Sequence, residues 1–102
     1  MVIVSVLVTM KVGGDTGQFR RFLAAEADRL GEIAAAAQAA GCVHHRFGVG
    51  DGFVLVIDEW VSAQAFQTFI SSDEISEVMR DAGAQSQPEV EIAEAIASPD
   101  QF

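Results

Sequence analysis

The sequence predicts an α+β fold with six elements in the order strand, helix, strand, strand, helix, strand. Three observations carry this prediction: valine-rich apolar runs of strand length, two longer stretches with apolar residues at helical spacing, and glycine or proline at the breaks between them. The chain has 102 residues, of which 50% are hydrophobic. That is enough for one core, so we expect a single domain over residues 1–102, with residues 98–102 as a short tail.

The first strand and the first helix follow directly from this pattern. Residues 2–12 form an almost continuous apolar run, which predicts a strand that is covered on both faces. Gly13-Gly14 interrupts the run, and Asp15 is of a residue type that caps helices. Apolar residues then recur at helical spacing up to Gly41. We therefore expect one continuous helix over residues 16–40.

A hairpin and a broken helix are predicted for the middle of the chain. Residues 43–48 and 53–60 have the composition of strands, and the Val-Gly-Asp-Gly sequence of residues 49–52 between them is typical of a hairpin turn. From Ser62 the apolar residues return to helical spacing, and the polar residues 71–73 interrupt them. We expect a helix in two pieces.

A last strand is predicted over residues 90–97, after the polar turn through Pro88, although the spacing of Ile92 and Ile96 would also suit a helix. The resulting order is the split βαβ arrangement of ferredoxin-like folds, with a four-stranded antiparallel sheet. Two helices cover only one face of such a sheet, whereas the first and third strands are apolar at both odd and even positions. A second copy of the chain is expected to cover the other face, so the pattern predicts a homodimer.

Charge and composition exclude several classes of partner. Fifteen acidic and six basic residues give a net charge of -9, which repels nucleic acid and anionic membrane surfaces. No apolar run approaches the roughly 20 residues of a membrane-spanning helix, and the N-terminal run lacks the pattern of a signal peptide. The single cysteine, Cys42, cannot form an internal disulfide. We expect a cytoplasmic protein.

Two motifs carry a resemblance to a known family. The stretch from Val56 to Phe66, Val-Ile-Asp-Glu-Trp-Val-Ser-Ala-Gln-Ala-Phe, resembles the signature of the antibiotic biosynthesis monooxygenase superfamily, in which a strand ending in Glu-Trp leads through a polar cap into a helix. Gly41-Cys42 matches the Gly-Cys that precedes the second strand in that family. The resemblance implies a dimeric α+β barrel in which each subunit holds an enclosed pocket between sheet and helices.

The same resemblance implies a class of activity. Members of the superfamily include cofactor-free monooxygenases of phenolic polyketides or quinols, and haem-degrading enzymes. Phe69 stands where many quinol-type members carry a histidine and where the haem-degrading branch carries a tryptophan, and Met79 stands where that branch has its haem-ligating histidine. The first strand also lacks the asparagine of that branch. We therefore expect no haem, and no flavin or tightly bound metal, because phosphate-cradling glycine motifs and complete ligand clusters are absent from the sequence.

The candidate catalytic residues are His44, His45 and Arg46. Side chains alternate along a strand, so only one histidine is expected to face the pocket, and Cys42, His44 and Arg46 are expected to share one face. An inward histidine could deprotonate a phenol, and Arg46 could steady the anion. The alternative is a solvent-exposed strand face. A zinc site is a weaker hypothesis, since cysteine and histidine supply only two of the three or four ligands required.

The resemblance places a substrate near the first strand, Trp60 and the second helix, which gives four candidate substrate-binding residues: Trp60, Phe66, Phe69 and Met79. Each has a structural alternative, because residues at such spacings commonly form core. Asp58 and Glu59 face opposite ways, so one of them is expected inward, paired with Arg20, Arg21 or Arg46, or else in a surface or interface salt bridge.

Two hypotheses about function follow. In the first, the chain is a cofactor-independent monooxygenase of an electron-rich aromatic, in which the protein supplies a base, an apolar pocket and exclusion of water. In the second, it is a non-catalytic dimeric module that binds a hydrophobic small molecule or serves in assembly. A closed pocket that contains His44 or His45 would favour the first.

Overall fold

The computed structural model of the chain describes residues 4–102. Within these residues it has four strands and four helices: β1 Val6–Gly13, α1 Thr16–Ala25, α2 Ala27–Ala40, β2 Cys42–Val49, β3 Phe53–Trp60, α3 Ala63–Ile70, α4 Asp73–Asp81 and β4 Glu89–Glu94. The predicted α+β class and element order are confirmed. The first residues of the predicted β1, at positions 2 and 3, lie outside the described part.

The four strands form one antiparallel sheet in the order β2-β3-β1-β4. The two central strands are therefore β3 and β1, as the ferredoxin-like prediction requires. In the register of β1 with β3, Val8 lies opposite Asp58 and Met10 opposite Val56. These even-numbered side chains belong to the face covered by the helices, where Val8 and Met10 are 1% and 5% exposed.

The predicted continuous helix over residues 16–40 is wrong at one point. Glu26 leaves the helical region, with φ −117° and ψ 36°, and separates α1 from α2. The two helices differ in burial. α1 buries Phe19 and Phe22, whereas none of the 14 residues of α2 is buried. The interruption at Glu26 therefore separates a piece with two buried aromatic rings from a piece without a buried residue, of which Ala37 packs against the core.

The predicted break in the second helical stretch is confirmed. α3 ends at Ile70 and α4 begins at Asp73, and a serine caps each piece. The hydroxyl of Ser62 accepts from the backbone N–H of Ala65 at 3.1 Å, and that of Ser72 accepts from Ile75 at 3.3 Å. These side chains satisfy backbone donors that have no partner inside the helix.

The last strand is shorter than predicted. β4 ends at Glu94, and Ile96, which was expected within the strand, is 87% exposed. Val90 and Ile92 lie opposite Met10 and Val8, so the alternation that predicted the strand is correct where pairing exists. None of the helices among residues 4–102 has the length and apolar character needed to cross a membrane.

The other face of the sheet, which we call the open face, has no helix over it. It carries the odd-numbered side chains of β1 and β3, of which Leu7 and Ile57 are 48% and 50% exposed. Aliphatic side chains in the centre of a sheet face are unusual when nothing covers them. The helix-covered face, in contrast, holds the buried core, which includes Trp60 and Phe66.

Candidate functional site

A β-bulge in β2 decides which side chains meet on the helix-covered face. Cys42 lies opposite Trp60, but the next paired residue is His44, opposite Glu59, so Val43 is an extra residue in the strand. A bulge of this kind shifts the alternation of side chains by one position. Cys42 and His45 therefore share the helix-covered face. The prediction that Cys42 shares a face with His44 and Arg46 is wrong for this reason.

Three polar side chains form a chain of hydrogen bonds on this face. The Nδ1 of His45 lies 2.7 Å from the Oδ1 of Asp58, on the neighbouring strand. The indole N–H of Trp60 donates to the Oδ2 of Asp58 at 3.0 Å. Because a carboxylate oxygen only accepts, the first contact requires a proton on Nδ1 of His45. The neutral imidazole then has its lone pair on Nε2, the arrangement of a general base.

Aromatic rings hold the imidazole and the indole in place. The ring of His45 meets that of Phe47 edge to face, with centroids 4.6 Å apart, and Phe47 in turn meets Phe19 at 5.1 Å. On the other side of Asp58, Trp60 packs against Phe66 and Phe69, with centroids 5.7 and 5.3 Å apart. Such contacts restrict side-chain rotation, so the hydrogen-bonded groups are held by packing as well as by their own bonds.

These groups form part of the wall of a cavity of about 650 Å³ between sheet and helices. The volume falls within the range of small-molecule sites, about 300–1,000 Å³. Most of the wall is apolar and comes from β1, β3 and all four helices, including residues of α2 such as Leu30 and Ile33. The side chain of His45 is 42% exposed, so solvent reaches this part of the wall.

Cys42 lies beside these groups but is not set up as a nucleophile. Burial and, after it, the negative charge of Asp58 raise the pKa of the Cys42 thiol above its ordinary value. The thiol also donates to the backbone carbonyl of His44 at 3.3 Å. The reactive form of cysteine is the thiolate. At neutral pH the side chain is therefore a small protonated group in the wall.

The structure brings together most of the residues that the sequence singled out. Trp60, Phe66, Phe69 and Met79 all line the cavity. His45 faces the helix-covered side, and His44 is paired on the open face, although atoms of His44 also belong to the cavity wall. Arg46 lies opposite Ile57 on the open face and does not line the cavity.

Sequence reasoning missed the partners of Asp58. An arginine or a surface salt bridge was expected, but Asp58 is only 7% exposed and is bound by His45 and Trp60. One signal was present in the sequence: Asp58 and Trp60 are two residues apart on a strand, so their side chains share a face. Nowhere in residues 4–102 do three His, Cys, Asp or Glu side chains lie together so that they could hold a metal ion.

Comparisons with known proteins identify the fold. No protein family model matches the chain, and no curated protein matches it. Solved structures do match. A monooxygenase of Streptomyces coelicolor from the gene ActVA-Orf6, in complex with nanaomycin D, has a TM-score of 0.65 and 14% identity, covering 97% of this chain and 94% of its own. A structure described as an antibiotic biosynthesis monooxygenase has a TM-score of 0.62 and 13% identity, covering 90% of this chain and 99% of its own.

The chain has the fold of the antibiotic biosynthesis monooxygenases. A dimeric ferredoxin-like protein from an uncultured marine organism is also similar, with a TM-score of 0.64 and 13% identity over 97% of this chain and 94% of its own. A protein of unknown function from Nitrosomonas europaea has a TM-score of 0.63 and 20% identity, covering 98% of this chain and 97% of its own. The resemblance that the sequence motifs predicted is thus confirmed for the fold, which is shared by proteins with and without a known reaction.

Proposed function

We propose that the chain is a cofactor-independent monooxygenase of electron-rich hydroxyarenes, in which His45 is the general base. One observation carries the proposal: the imidazole of His45 is bound through Nδ1 to the buried carboxylate of Asp58, at the wall of an apolar cavity. This arrangement leaves Nε2 free to accept the proton of a phenol. A hydroxyl group near His45 and an aromatic body against Phe66 and Phe69 would satisfy both parts of the site.

The reaction balances with dioxygen as the only co-reactant. Nε2 of His45 takes the phenol proton, and the electron-rich anion transfers electrons to dioxygen and forms a carbon–oxygen bond at a ring carbon. The peroxide anion takes up the proton from His45, and the resulting hydroperoxide loses water, formed from its OH group and the hydrogen on the same ring carbon, to give a quinone. For a naphthol the balance is C10H8O + O2 → C10H6O2 + H2O. The substrate supplies all four electrons, so the protein contributes the base, orientation and exclusion of water.

The comparisons support this proposal without fixing the substrate. The Streptomyces coelicolor structure of the same fold is a monooxygenase in complex with nanaomycin D. The cavity described above lies between the sheet and all four helices and is large enough for a fused-ring aromatic. Trp60, Phe66, Phe69 and Met79 are proposed to contact that ring system.

The experiment compares the two histidines. Oxygen uptake and quinone formation are measured with 1,5-dihydroxynaphthalene as substrate, whose quinone product is coloured. His45→Ala is expected to lower turnover by about 10² to 10⁴, the usual cost of a lost general base. His44→Ala is the matched control, since His44 is the neighbouring histidine and is paired on the open face, and it is expected to cost little. Turnover that both replacements leave at the wild-type level would remove histidine from the mechanism, whereas a wild type without turnover would favour a non-catalytic binding module.

We also propose that a second copy of the chain covers the open face. Leu7 and Ile57 are half exposed at its centre. Arg46 stands on β2 at one edge of the sheet, and Glu89 and Glu91 stand on β4 at the other edge. A two-fold axis along the strands would set the basic edge of each copy over the acidic edge of its partner while burying the aliphatic centre.

A further inference from the structure

The charges around the cavity are of one sign. Asp58 and Asp15 line it, whereas none of its lining residues in the described part of the chain is a lysine or arginine. Asp58 is the buried carboxylate of the two, because Asp15 is exposed at the start of α1, where it caps the helix. The imidazoles are thus the only groups of the wall that can gain a positive charge.

The basic residues of the chain lie elsewhere. Lys11 and Arg46 are on the open face, where the ammonium of Lys11 sits 4.5 Å from the centre of the Phe53 ring. Arg29 forms a salt bridge of 3.0 Å with Asp81. Arg20, Arg21 and Arg80 are exposed on helices. An anionic ligand that entered the cavity would therefore meet a carboxylate and no guanidinium or ammonium.

From this distribution we infer that the cavity selects uncharged hydroxyarenes and rejects aromatic carboxylates of the same size. The inference rests on the proposed function and adds the charge state of its substrate. An ionised carboxylate loses its hydration in an apolar cavity and needs a cation or several donors in exchange. Here it would also stand near Asp58, and like charges at short range repel strongly away from bulk water.

A bound phenol does not meet this obstacle when it ionises. Its proton moves to Nε2 of His45, so an imidazolium and a phenolate appear together and the total charge of the site is unchanged. The imidazolium stays bound to Asp58 through Nδ1. An anion can thus be generated inside the cavity although an anion from solution is excluded.

Three ligands of similar size test the inference on the intact protein: 2-naphthol, 2-naphthamide and 2-naphthoate, at pH 7. Trp60 is the only tryptophan in the chain and lines the cavity, so its single indole N–H signal in an NMR titration reports binding there. We expect 2-naphthol and 2-naphthamide to shift this signal and saturate it. 2-Naphthoate differs from 2-naphthamide mainly by its charge. Its Kd should exceed that of 2-naphthamide by about 100-fold or more.

Two controls separate the local charge from the net charge of -9. The titrations are repeated in 1 M NaCl, where the Debye length is about 3 Å and long-range repulsion is screened. Asp58→Asn should improve 2-naphthoate binding by about 10-fold or more, whereas Asp51→Asn, an equal charge change in the exposed hairpin turn, should not. If Asp58→Asn loses its folded spectrum, the wild-type comparison in high salt decides alone.

A folded Asp58→Asn variant that binds 2-naphthoate no better than Asp51→Asn does would overturn the inference. Weak 2-naphthoate binding that persists in high salt supports the inference. Naphthoate that binds as well as naphthamide, or a difference that disappears in 1 M NaCl, overturns the inference and leaves the proposed function intact. If neither neutral ligand shifts the indole signal, the proposed function fails and the inference fails with it.

Discussion

The indole N–H of Trp60 and the carboxylate of Asp58 are joined by a hydrogen bond of 3.0 Å, and both side chains are almost wholly buried, at 1% and 7% exposure. The two residues are neighbours on the same face of β3. Because Trp60 can only donate, it fixes one carboxylate oxygen and leaves the other for His45 on β2. The position of the imidazole therefore depends on Trp60 through the carboxylate that both side chains bind.

Asp58→Asn is expected to reverse the tautomer of His45. The asparagine oxygen would remain with the indole N–H of Trp60, so its NH2 group would face Nδ1 of His45, which must then accept. The imidazole proton would move to Nε2, where a base needs a lone pair. We expect turnover of a hydroxyarene to fall by about 10² to 10⁴.

The measurement for this variant is the ring nitrogen spectrum of His45 by NMR, at a pH where the imidazole is neutral. The wild type should show the proton on Nδ1, and Asp58→Asn should show it on Nε2. The signals of His44, which is paired on the other face, serve as the internal control. A variant that kept the Nδ1–H form would contradict the role assigned to Asp58, whatever its activity.

Trp60→Phe should lower the free energy of unfolding by about 1–3 kcal/mol beyond the effect of the smaller ring, because Oδ2 of Asp58 would be left buried without a donor. Urea unfolding gives the value. In an Asp58→Val background the unpaired oxygen is gone, so the same tryptophan substitution should cost less. Equal costs in the two backgrounds would show that the hydrogen bond contributes nothing measurable.

In a steady-state assay with a hydroxyarene substrate, we expect the single variant Trp60→Phe to raise KM more than it lowers kcat.

The parts of the fold that depend on local sequence could be predicted. β3 has the predicted bounds of residues 53–60, and the break predicted at residues 71–73 falls at residues 71–72, between α3 and α4. Turn residues, caps and alternation are properties of neighbouring positions. The break at Glu26 could not be predicted in this way, because the apolar spacing continues through it and the break is visible only in the backbone of that residue.

The site was harder to predict than the fold, since it depends on how strands align. Alternation by two, counted along residues 42–46, assigned Cys42 to the wrong face, because a bulge is visible only in the register with β3. The same register brings His45 opposite Asp58. The sequence indicated that one histidine and one of Asp58 and Glu59 turn inward, but not that the two side chains meet.

Cys42 should react slowly with iodoacetamide at neutral pH. Burial and the charge of Asp58 raise the pKa of its thiol, so the thiolate fraction at a given pH is smaller than in an exposed cysteine. A Cys42→Ala/Ser76→Cys variant, with its cysteine on the exposed side of α4, is the reference. Alkylation is followed by mass spectrometry between pH 7 and 10. A wild-type rate equal to that of the reference would contradict the raised pKa.

The charge of Asp58 predicts a further change in this thiol. Asp58→Asn removes one cause of the raised pKa, so the thiolate fraction and the alkylation rate at pH 8 should increase. The raised pKa of Cys42 also makes the free energy of unfolding depend on pH. Because the folded protein holds the thiol proton more tightly than the unfolded chain does, the contribution of this thiol to stability is complete below the unfolded-state pKa. It is lost as the pH rises through the folded-state value.

The last prediction concerns assembly through the open face. Light scattering at micromolar concentration should give about twice the chain mass of 10.8 kDa. Ile57→Glu, which puts a charge at the half-exposed centre of the face, should shift the protein toward that monomer mass. Arg46→Glu should weaken the dimer by opposing Glu91 of the partner subunit, and adding Glu91→Arg should restore it, because the exchanged pair again has opposite charges. Ser76→Glu on the exposed side of α4 is the control and should leave the mass unchanged. A wild-type mass of 10.8 kDa would contradict the dimer, whereas a dimer that Arg46→Glu leaves intact would contradict only the proposed direction of the two-fold axis.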